Sequence, residues 1–168
     1  RLKITFPTQE IRFSEKLKCE YPLHQYRRIA PILYPLRAVK QAEELTALKK
    51  ACDITQKAFL KAIKEVKPGK YEYEIEAELI GEMIRNGASG HSFAPIVASG
   101  ADTCILHYIK NDKIMQDGDL LLMDFGAEYA NYAGDATRTM PVNGKFSPRQ
   151  KEVYQAVCDI YKATIPLF

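Results

Sequence analysis

Several sequence signals that would assign this 168-residue chain to a common protein class are absent. The longest strongly apolar run, residues 120–123, is far too short to cross a membrane. No apolar signal-peptide core follows Arg1. The cysteines show neither a CxxC pair nor a zinc-binding spacing; they are Cys19, Cys52, Cys104 and Cys158. We therefore expect a cytoplasmic protein with reduced thiols and no membrane partner.

The common catalytic motifs of covalent and nucleotide chemistry are missing as well. The chain contains no G-x-S-x-G elbow, and no cysteine has a histidine close to it in the sequence. The glycine-containing stretch 87–90 lacks the spacing and the lysine of a phosphate-binding loop. These absences argue against a serine or cysteine nucleophile and against a P-loop nucleotide site.

The net charge of +3 is concentrated near the N-terminus. Residues 1–40 hold nine Lys/Arg and three Glu, whereas residues 41–168 hold fifteen Lys/Arg and eighteen Asp/Glu. Since the basic residues are scattered and no nucleic-acid motif accompanies them, we expect a solvated connecting segment and no nucleic-acid partner. Four prolines between residues 7 and 35 predict irregular chain, so residues 1–36 are interpreted as a linker or the tail of a preceding domain. An Arg at position 1 suggests a piece of a longer protein.

Hydrophobic periodicity predicts helices first and strands afterwards. Three- and four-residue steps predict a helix over about 38–66, with Leu45, Cys52 and Phe59 on its apolar stripe, and a second helix over about 72–85. Ser147 followed by proline predicts the start of a last helix. Four segments read as strands, at 93–98, 104–109, 120–127 and 132–142.

Two aspartates in the last two predicted strands are the strongest candidates for chemistry. Asp124 follows four apolar residues, and burying a carboxylate there is costly unless a cation or several donors offset it. If the chain folds back between Tyr129 and Ala130, Asp135 lies directly opposite Asp124, and the Cβ atoms of the two residues lie about 5 Å apart on the same face of the sheet. Two divalent ions would relieve their repulsion. The alternatives are an Asp124 that backbone amides or Arg138 satisfy and an Asp135 that is a plain turn residue.

His107 is the third candidate, because it stands at the end of the predicted strand 104–109, before Asn111. A histidine at that place can donate to a substrate carbonyl or carry a proton, although a structural role is the alternative. Oxygen ligands alone favour Mn²⁺ or Mg²⁺, and an added imidazole widens the choice to Zn²⁺, Co²⁺ or Fe²⁺.

Several motifs occur in an order that resembles the aminopeptidase P (Xaa-Pro aminopeptidase) family, with prolidase as the close second. They lie at residues 92–100, 106–108 with Asn111, 119–129, 134–139 and 141–146. The resemblance runs from about Leu36 to the end of the chain. It implies that residues 37–168 form the N-terminal half of a catalytic domain.

The resemblance implies an α+β "pita-bread" fold, the fold of creatinase and the aminopeptidases, with helices packed on a curved, mainly antiparallel sheet. It also implies two divalent metal ions, commonly manganese, held by two Asp, one His and two Glu. Asp124 and Asp135 match the two aspartates, and His107 matches the histidine near the scissile carbonyl. The implied reaction releases the N-terminal residue from peptides with proline in second place, through a hydroxide held by the metal pair, in a homo-oligomeric parent enzyme.

The other ligands of the family lie beyond the segment 141–146 and outside this chain, so we expect the chain alone to be inactive. Two rivals share the fold: a metal-free amidinohydrolase of the creatinase type and a non-catalytic binding module. Both tend to lack the metal aspartates, so Asp124 and Asp135 argue against them. A further possibility is that half a domain exposes its seam and dimerises through it.

Overall fold

The structure is a computed structural model that describes residues 7–167. The chain divides into two compact units, Arg1–Lys40 and Gln41–Phe168, and each is described by itself. Residues 1–6, which the sequence predicted to be irregular, lie outside the described residues. Within the described part, no helix combines the length and the apolar character needed to cross a lipid bilayer.

In the described part of the first unit, residues 7–40, there are two helices, α1 (Gln9–Glu20) and α2 (Ala30–Ala38), where the sequence predicted irregular chain. The prediction was wrong because most of the prolines lie where helices tolerate them. Pro7 and Pro22 flank α1, and Pro31 lies in the first turn of α2, where a backbone N–H has no helical partner. Neither helix has a fully buried residue, although Ser14 and Leu17 of α1 are half-buried.

The second unit has three helices, α3 (Ala42–Ala62), α4 (Glu72–Arg85) and α5 (Pro148–Thr164). The predicted helix over 72–85 and the proline start of α5 are confirmed. Residues Ile75, Leu79 and Met83 of α4 are fully buried, which confirms its predicted stripe.

The buried face of α3 differs from the predicted one. It consists of Ala51, Ile54, Thr55, Ala58 and Ala62. Leu45 and Cys52, which the periodicity placed on the apolar stripe, are exposed. Small side chains let a helix approach its neighbours closely, so packing against α4 and the sheet selected the alanine face over the face with the larger side chains.

Six short strands form two antiparallel sheets of three strands each. The strands are β1 (Gly90–His91), β2 (Ile96–Ser99), β3 (Leu120–Phe125), β4 (Ala127–Tyr129), β5 (Tyr132–Ala133) and β6 (Ala136–Pro141). The strand orders are β1-β4-β5 and β2-β3-β6. Within this unit, α3 and α4 cover one face of the sheets, and the core between them contains Met83, Leu121, Met123 and Phe125.

The long hairpin from β3 to β6 turns at Ala130 and Asn131, and its register corrects the predicted one. Both turn residues have positive φ, 52° and 66°, and Tyr129 pairs with Tyr132. The predicted fold between consecutive residues left no residue for the loop, whereas a tight hairpin needs about two. Pairing is therefore shifted by two positions, and Asp124 lies opposite Thr137 instead of Asp135.

The predicted strand over 104–109 is also wrong. A 3₁₀ helix (Gly100–Cys104) is followed by a turn in which His107 has φ 55°. The outer edge of β2, which such a strand would pair with, is occupied by side chains. Val97 N–H donates to Asn111 Oδ1 and Ser99 N–H donates to Glu72 Oε1, at 2.9 and 2.7 Å. An apolar composition alone cannot distinguish a strand from this irregular loop.

Candidate metal centre and substrate cavity

Asp124 lies on the face of β3 that points away from the helices. Side chains alternate along the strand, so that Leu121, Met123 and Phe125 are buried while Asp124 is half-buried. Its Oδ1 accepts a hydrogen bond from the Thr137 hydroxyl at 2.9 Å, across the strand pair. An ionised carboxylate has about four acceptor positions, so one neutral donor leaves most of them available to a cation.

The structure shows neither of the two alternatives for Asp124, which were hydrogen bonds from backbone amides and pairing with Arg138. Arg138 projects from the neighbouring position of β6, and its guanidinium donates to the Thr137 carbonyl oxygen at 2.8 Å. The hydrogen bond to Asp124 comes from a side-chain hydroxyl and not from a backbone amide. The carboxylate is thus not neutralised by a protein cation on its own strand pair.

Asp124 and His107 line the same cavity. Its volume is about 290 Å³, and its other lining residues are Ile96, Ala98, Thr103, Cys104, Ile105, Leu106, Leu122 and Thr137. Most of this wall is apolar, whereas Asp124, His107 and the two threonines are polar. Apolar walls with a few convergent polar groups are typical of ligand pockets. The structure thus brings together two of the three predicted site residues.

Asp135 lies elsewhere. It is exposed and borders a second cavity of about 240 Å³, whose other lining residues are Cys52, Thr55, Gln56, Phe59, Phe125, Ala136 and Arg138. Phe125 belongs to the helix-covered side of the sheet, where its ring stacks on Phe59. The two aspartates therefore do not line a common cavity. Among residues 7–167, no three His, Cys, Asp or Glu side chains form a set that could hold a metal ion.

Close glycine packing fixes the backbone next to both aspartates. A Cβ on Gly126 would lie 1.8 Å from the Gly134 carbonyl oxygen, and a Cβ on Gly134 would lie 2.3 Å from Thr55 Oγ1. Ser92 Oγ donates to the same Gly134 oxygen at 2.8 Å. Gly126 is two residues after Asp124, and Gly134 directly precedes Asp135. The close approach of the two glycines therefore fixes the relative position of the chain segments that carry the two aspartates.

The sequence reasoning missed Glu72, which is fully buried beneath the loop that carries His107. It accepts hydrogen bonds from Ser99, Tyr108 and Lys113. A glutamate in the first turn of a helix ordinarily faces solvent and favours the positive end of the helix dipole. Nothing in the local sequence separates it from Glu74, which forms the capping box of the same helix.

The residues present fit hard divalent cations by donor type, although incompletely. Asp124 offers a half-buried carboxylate with one protein donor, and Asp135 offers an exposed one. Carboxylate oxygens are preferred ligands of Mg²⁺ and Mn²⁺. A catalytic metal ordinarily has three or more protein ligands, so two carboxylates alone do not make a complete metal site.

Helices packed on one face of antiparallel sheets agree with the pita-bread fold that the motifs implied. The sequence profile of metallopeptidase family M24 matches residues 46–167, and the chain belongs to that family. The predicted resemblance and the predicted α+β pita-bread fold are confirmed by this match and by the solved structures below.

Curated relatives of the chain include Xaa-Pro aminopeptidases and Xaa-Pro dipeptidases, and similar solved structures are aminopeptidases P. The chain is 44% identical to Xaa-Pro aminopeptidase of Escherichia coli over 82% of its own length and 31% of the relative's. It is 35% identical to Xaa-Pro dipeptidase of Pyrococcus horikoshii over 91% of its length and 43% of the relative's. The structure is similar to proline aminopeptidase P II from Yersinia pestis, with TM-score 0.86 and 38% identity, covering 95% of this chain and 38% of that one. Aminopeptidase P of E. coli in complex with substrate has TM-score 0.81 and 43% identity, over 83% and 32% of the two chains. The chain thus spans about a third of the length of its E. coli relative.

Proposed function

We propose that this chain is the first half of the catalytic domain of a metallo-aminopeptidase that releases the N-terminal residue from peptides with proline in second place. The observation that carries the proposal is the cavity that Asp124 and His107 both line, whose wall is otherwise mostly apolar. The 44% identity to E. coli Xaa-Pro aminopeptidase supports the same substrate class. Residues 1–36 are proposed to link this half-domain to a preceding domain.

Asp124 and Asp135 would contribute to holding two divalent ions, with Mn²⁺ as the proposed metal. When bound, such ions lower the pKa of a coordinated water and polarise the carbonyl of the scissile bond. Asp135 borders a different cavity from Asp124. A metal site that includes both aspartates therefore requires further ligands that draw Asp135 toward the cavity lined by His107.

His107 is proposed to donate a hydrogen bond to the carbonyl oxygen of the scissile peptide bond. It is exposed and lies in a turn at the cavity wall, where a substrate can reach it. As water adds to the carbonyl carbon, negative charge develops on that oxygen, and a placed donor stabilises it. Apolar neighbours such as Ile96 and Leu122 exclude water and strengthen this hydrogen bond.

Metal binding by the 168-residue chain tests the two aspartates. Titration with Mn²⁺, followed by electron paramagnetic resonance of the free ion, is expected to show weak binding that Asp124→Ala and Asp135→Ala each reduce. Asp53→Ala, which removes an exposed helix carboxylate that pairs with Lys57, is the matched control. Binding that survives in both site variants would contradict the assignment.

Activity is best tested in a chimera, because we expect the chain alone to cleave no Xaa-Pro peptide. Residues 41–168 replace the corresponding part of E. coli Xaa-Pro aminopeptidase. The chimera is expected to cleave a Xaa-Pro-Xaa tripeptide, and His107→Ala is expected to lower kcat about 100-fold or more, as removal of one transition-state donor does. A folded, Mn²⁺-loaded chimera without activity would refute the proposal, and cleavage by the unfused chain would refute the expected inactivity.

Xaa-Pro dipeptidase activity is the second candidate, since the P. horikoshii dipeptidase is 35% identical over 91% of this chain. The same chimera distinguishes the two activities if it is offered an Xaa-Pro dipeptide beside the tripeptide. A cytoplasmic location and a homo-oligomeric parent enzyme complete the proposal. Cell fractionation and light scattering of the parent test them.

A further inference from the structure

Glu72 is a buried carboxylate with an unusual number of donors around it. Ser99 contributes its backbone N–H at 2.7 Å and its hydroxyl at 2.6 Å, both to Oε1. The Tyr108 hydroxyl donates to Oε2 at 2.8 Å, and Lys113 N–H donates to the same oxygen at 3.1 Å. We call Glu72, Ser99, Tyr108 and Lys113 the Glu72 cluster. The four donor groups are two backbone N–H groups and two hydroxyls, all of them uncharged. Glu72 also lies at the N-terminus of α4, where the helix dipole favours a negative charge.

The Glu72 cluster joins three chain segments, two of which also meet at an isolated antiparallel bridge between Tyr71 and Ile114. Glu72 is the first residue of α4, Ser99 ends β2, and Tyr108 and Lys113 belong to the loop after the 3₁₀ helix. Glu72 N–H also donates to the Lys113 carbonyl at 2.9 Å, so the loop is bonded to both the backbone and the side chain of Glu72. Tyr108 and Lys113 of this loop are thus tied to the start of one helix.

Asn111 provides a second attachment three residues after Tyr108. Its Oδ1 accepts from Val97 N–H at 2.9 Å, and its Nδ2 donates to the Pro95 carbonyl at 2.9 Å and to Glu76 Oε2 at 2.8 Å. Asn111 is buried and has a positive φ of 48°. Tyr108 is buried as well, and burial together with the hydrogen bond to Glu72 raises the pKa of its hydroxyl.

His107 directly precedes the first of these attachments. Its φ of 55° lies in a region that non-glycine residues occupy only when the surroundings hold them there. Its two sequence neighbours differ in exposure, since Leu106 is 86% exposed whereas Tyr108 is 4% exposed. The imidazole therefore lies at the border between the free and the attached part of the loop, facing the cavity of Asp124.

We propose that Glu72 is a positioning residue for His107: through the Tyr108 hydroxyl it holds the turn that presents the imidazole to the Asp124 cavity, and Asn111 anchors the far side of that turn. The inference rests on the proposed function, since it takes His107 as the residue that meets the substrate. Glu72 itself touches neither the cavity wall nor the reacting atoms.

Histidine NMR of the full chain tests this without metal or peptide. The chain has three histidines, so [¹³C]histidine labelling yields three sets of imidazole signals, and the set that His107→Asn removes is that of His107. Tyr108→Phe removes the hydroxyl that donates to Glu72 at 2.8 Å and also lies 3.4 Å from Asp112 Oδ1. Glu72→Gln keeps the size of the side chain but loses two acceptor directions. Tyr73→Phe is the matched control, because Tyr73 is on the same helix and is 49% exposed.

In Tyr108→Phe and Glu72→Gln the His107 signal is expected to shift or broaden, while those of His24 and His91 stay in place. Tyr73→Phe is expected to leave all three unchanged. Amide exchange at Ser99 and Lys113 is expected to accelerate about fivefold in both cluster variants, as loss of one buried hydrogen bond predicts.

Two results would overturn the proposal. One is a folded Tyr108→Phe chain whose His107 signal coincides with that of the parent chain. The other is an equal displacement of all three histidine signals, which would make the Glu72 cluster a general requirement for folding. An inactive chimera would refute the proposed peptidase function while leaving the NMR result intact, so the two failures are distinguishable.

Discussion

The two faces of the β2-β3-β6 sheet are built by the same strands and differ in what they do. The face toward α3 and α4 is sealed, with Leu121, Met123 and Phe125 buried. The opposite face presents Asp124 beside Thr137 and opens into the His107 cavity. Because side chains alternate along a strand, one face can supply stability while the other carries exposed polar groups. Variants on the two faces should therefore separate stability from chemistry.

The largest expected effect is on the sealed face. Phe125→Ala removes a ring that is 1% exposed and stacks on Phe59, so we expect a loss of about 3–5 kcal/mol in the free energy of unfolding. Urea denaturation followed by circular dichroism measures it. Leu106→Ala, at an 86% exposed position, should change stability by less than about 0.5 kcal/mol. Equal losses in the two variants would invalidate the contrast between the faces.

The corresponding change on the open face is Asp124→Ala. We expect Mn²⁺ affinity to fall by more than about 100-fold, because changes in groups that merely support a metal ligand already cost about 10–100-fold. Unfolding free energy should change little, since the side chain is half-buried and accepts one hydrogen bond. Calorimetric Mn²⁺ titration of the chimera and urea denaturation of the chain measure the two quantities. A variant that unfolds easily yet binds Mn²⁺ normally would reverse the roles of the faces.

A smaller effect is expected where the two sheets meet. Gly126→Ala places a methyl group 1.8 Å from the Gly134 carbonyl oxygen, so the backbone must shift at a cost of about 1–3 kcal/mol. The shift also moves the segments next to both aspartates. Gly81→Ala, a helical position with open space around the added carbon, should be neutral or slightly stabilising in the same denaturation experiment.

The smallest expected effect is on the pH dependence of stability and involves the Tyr108 hydroxyl. Burial and the hydrogen bond to Glu72 raise the pKa of Tyr108 above the value of about 10 that a tyrosine has in an unfolded chain. Above about pH 10 the unfolded chain loses this proton while the folded chain keeps it, so stability falls as pH rises. Between pH 8 and pH 10.5 the urea midpoint of the Tyr108→Phe variant should fall less than that of the parent chain. An identical slope would show that the hydroxyl is not protected by its surroundings.

Local periodicity predicted the helix over 72–85 and the strands around Asp124, because buried positions in these elements repeat at the spacing of the element itself. It was wrong for the first unit, since prolines at helix ends resemble the prolines of irregular chain. It was partly right for α3, because Phe59 of the predicted stripe packs against the core. Leu45 and Cys52 are exposed instead, and the fully buried face of α3 consists mainly of alanines, which pack more closely.

The sequence by itself determined that a carboxylate interrupts the apolar strand at Asp124, and the motifs around it determined the family. Only the tertiary structure decided that Asp124 faces Thr137, that Asp135 borders another cavity, and that Glu72 holds the loop of His107. The reason is physical. Periodicity is a property of neighbouring residues, whereas Glu72 takes its hydrogen bonds from groups 27 to 41 positions along the chain, which no local pattern can identify.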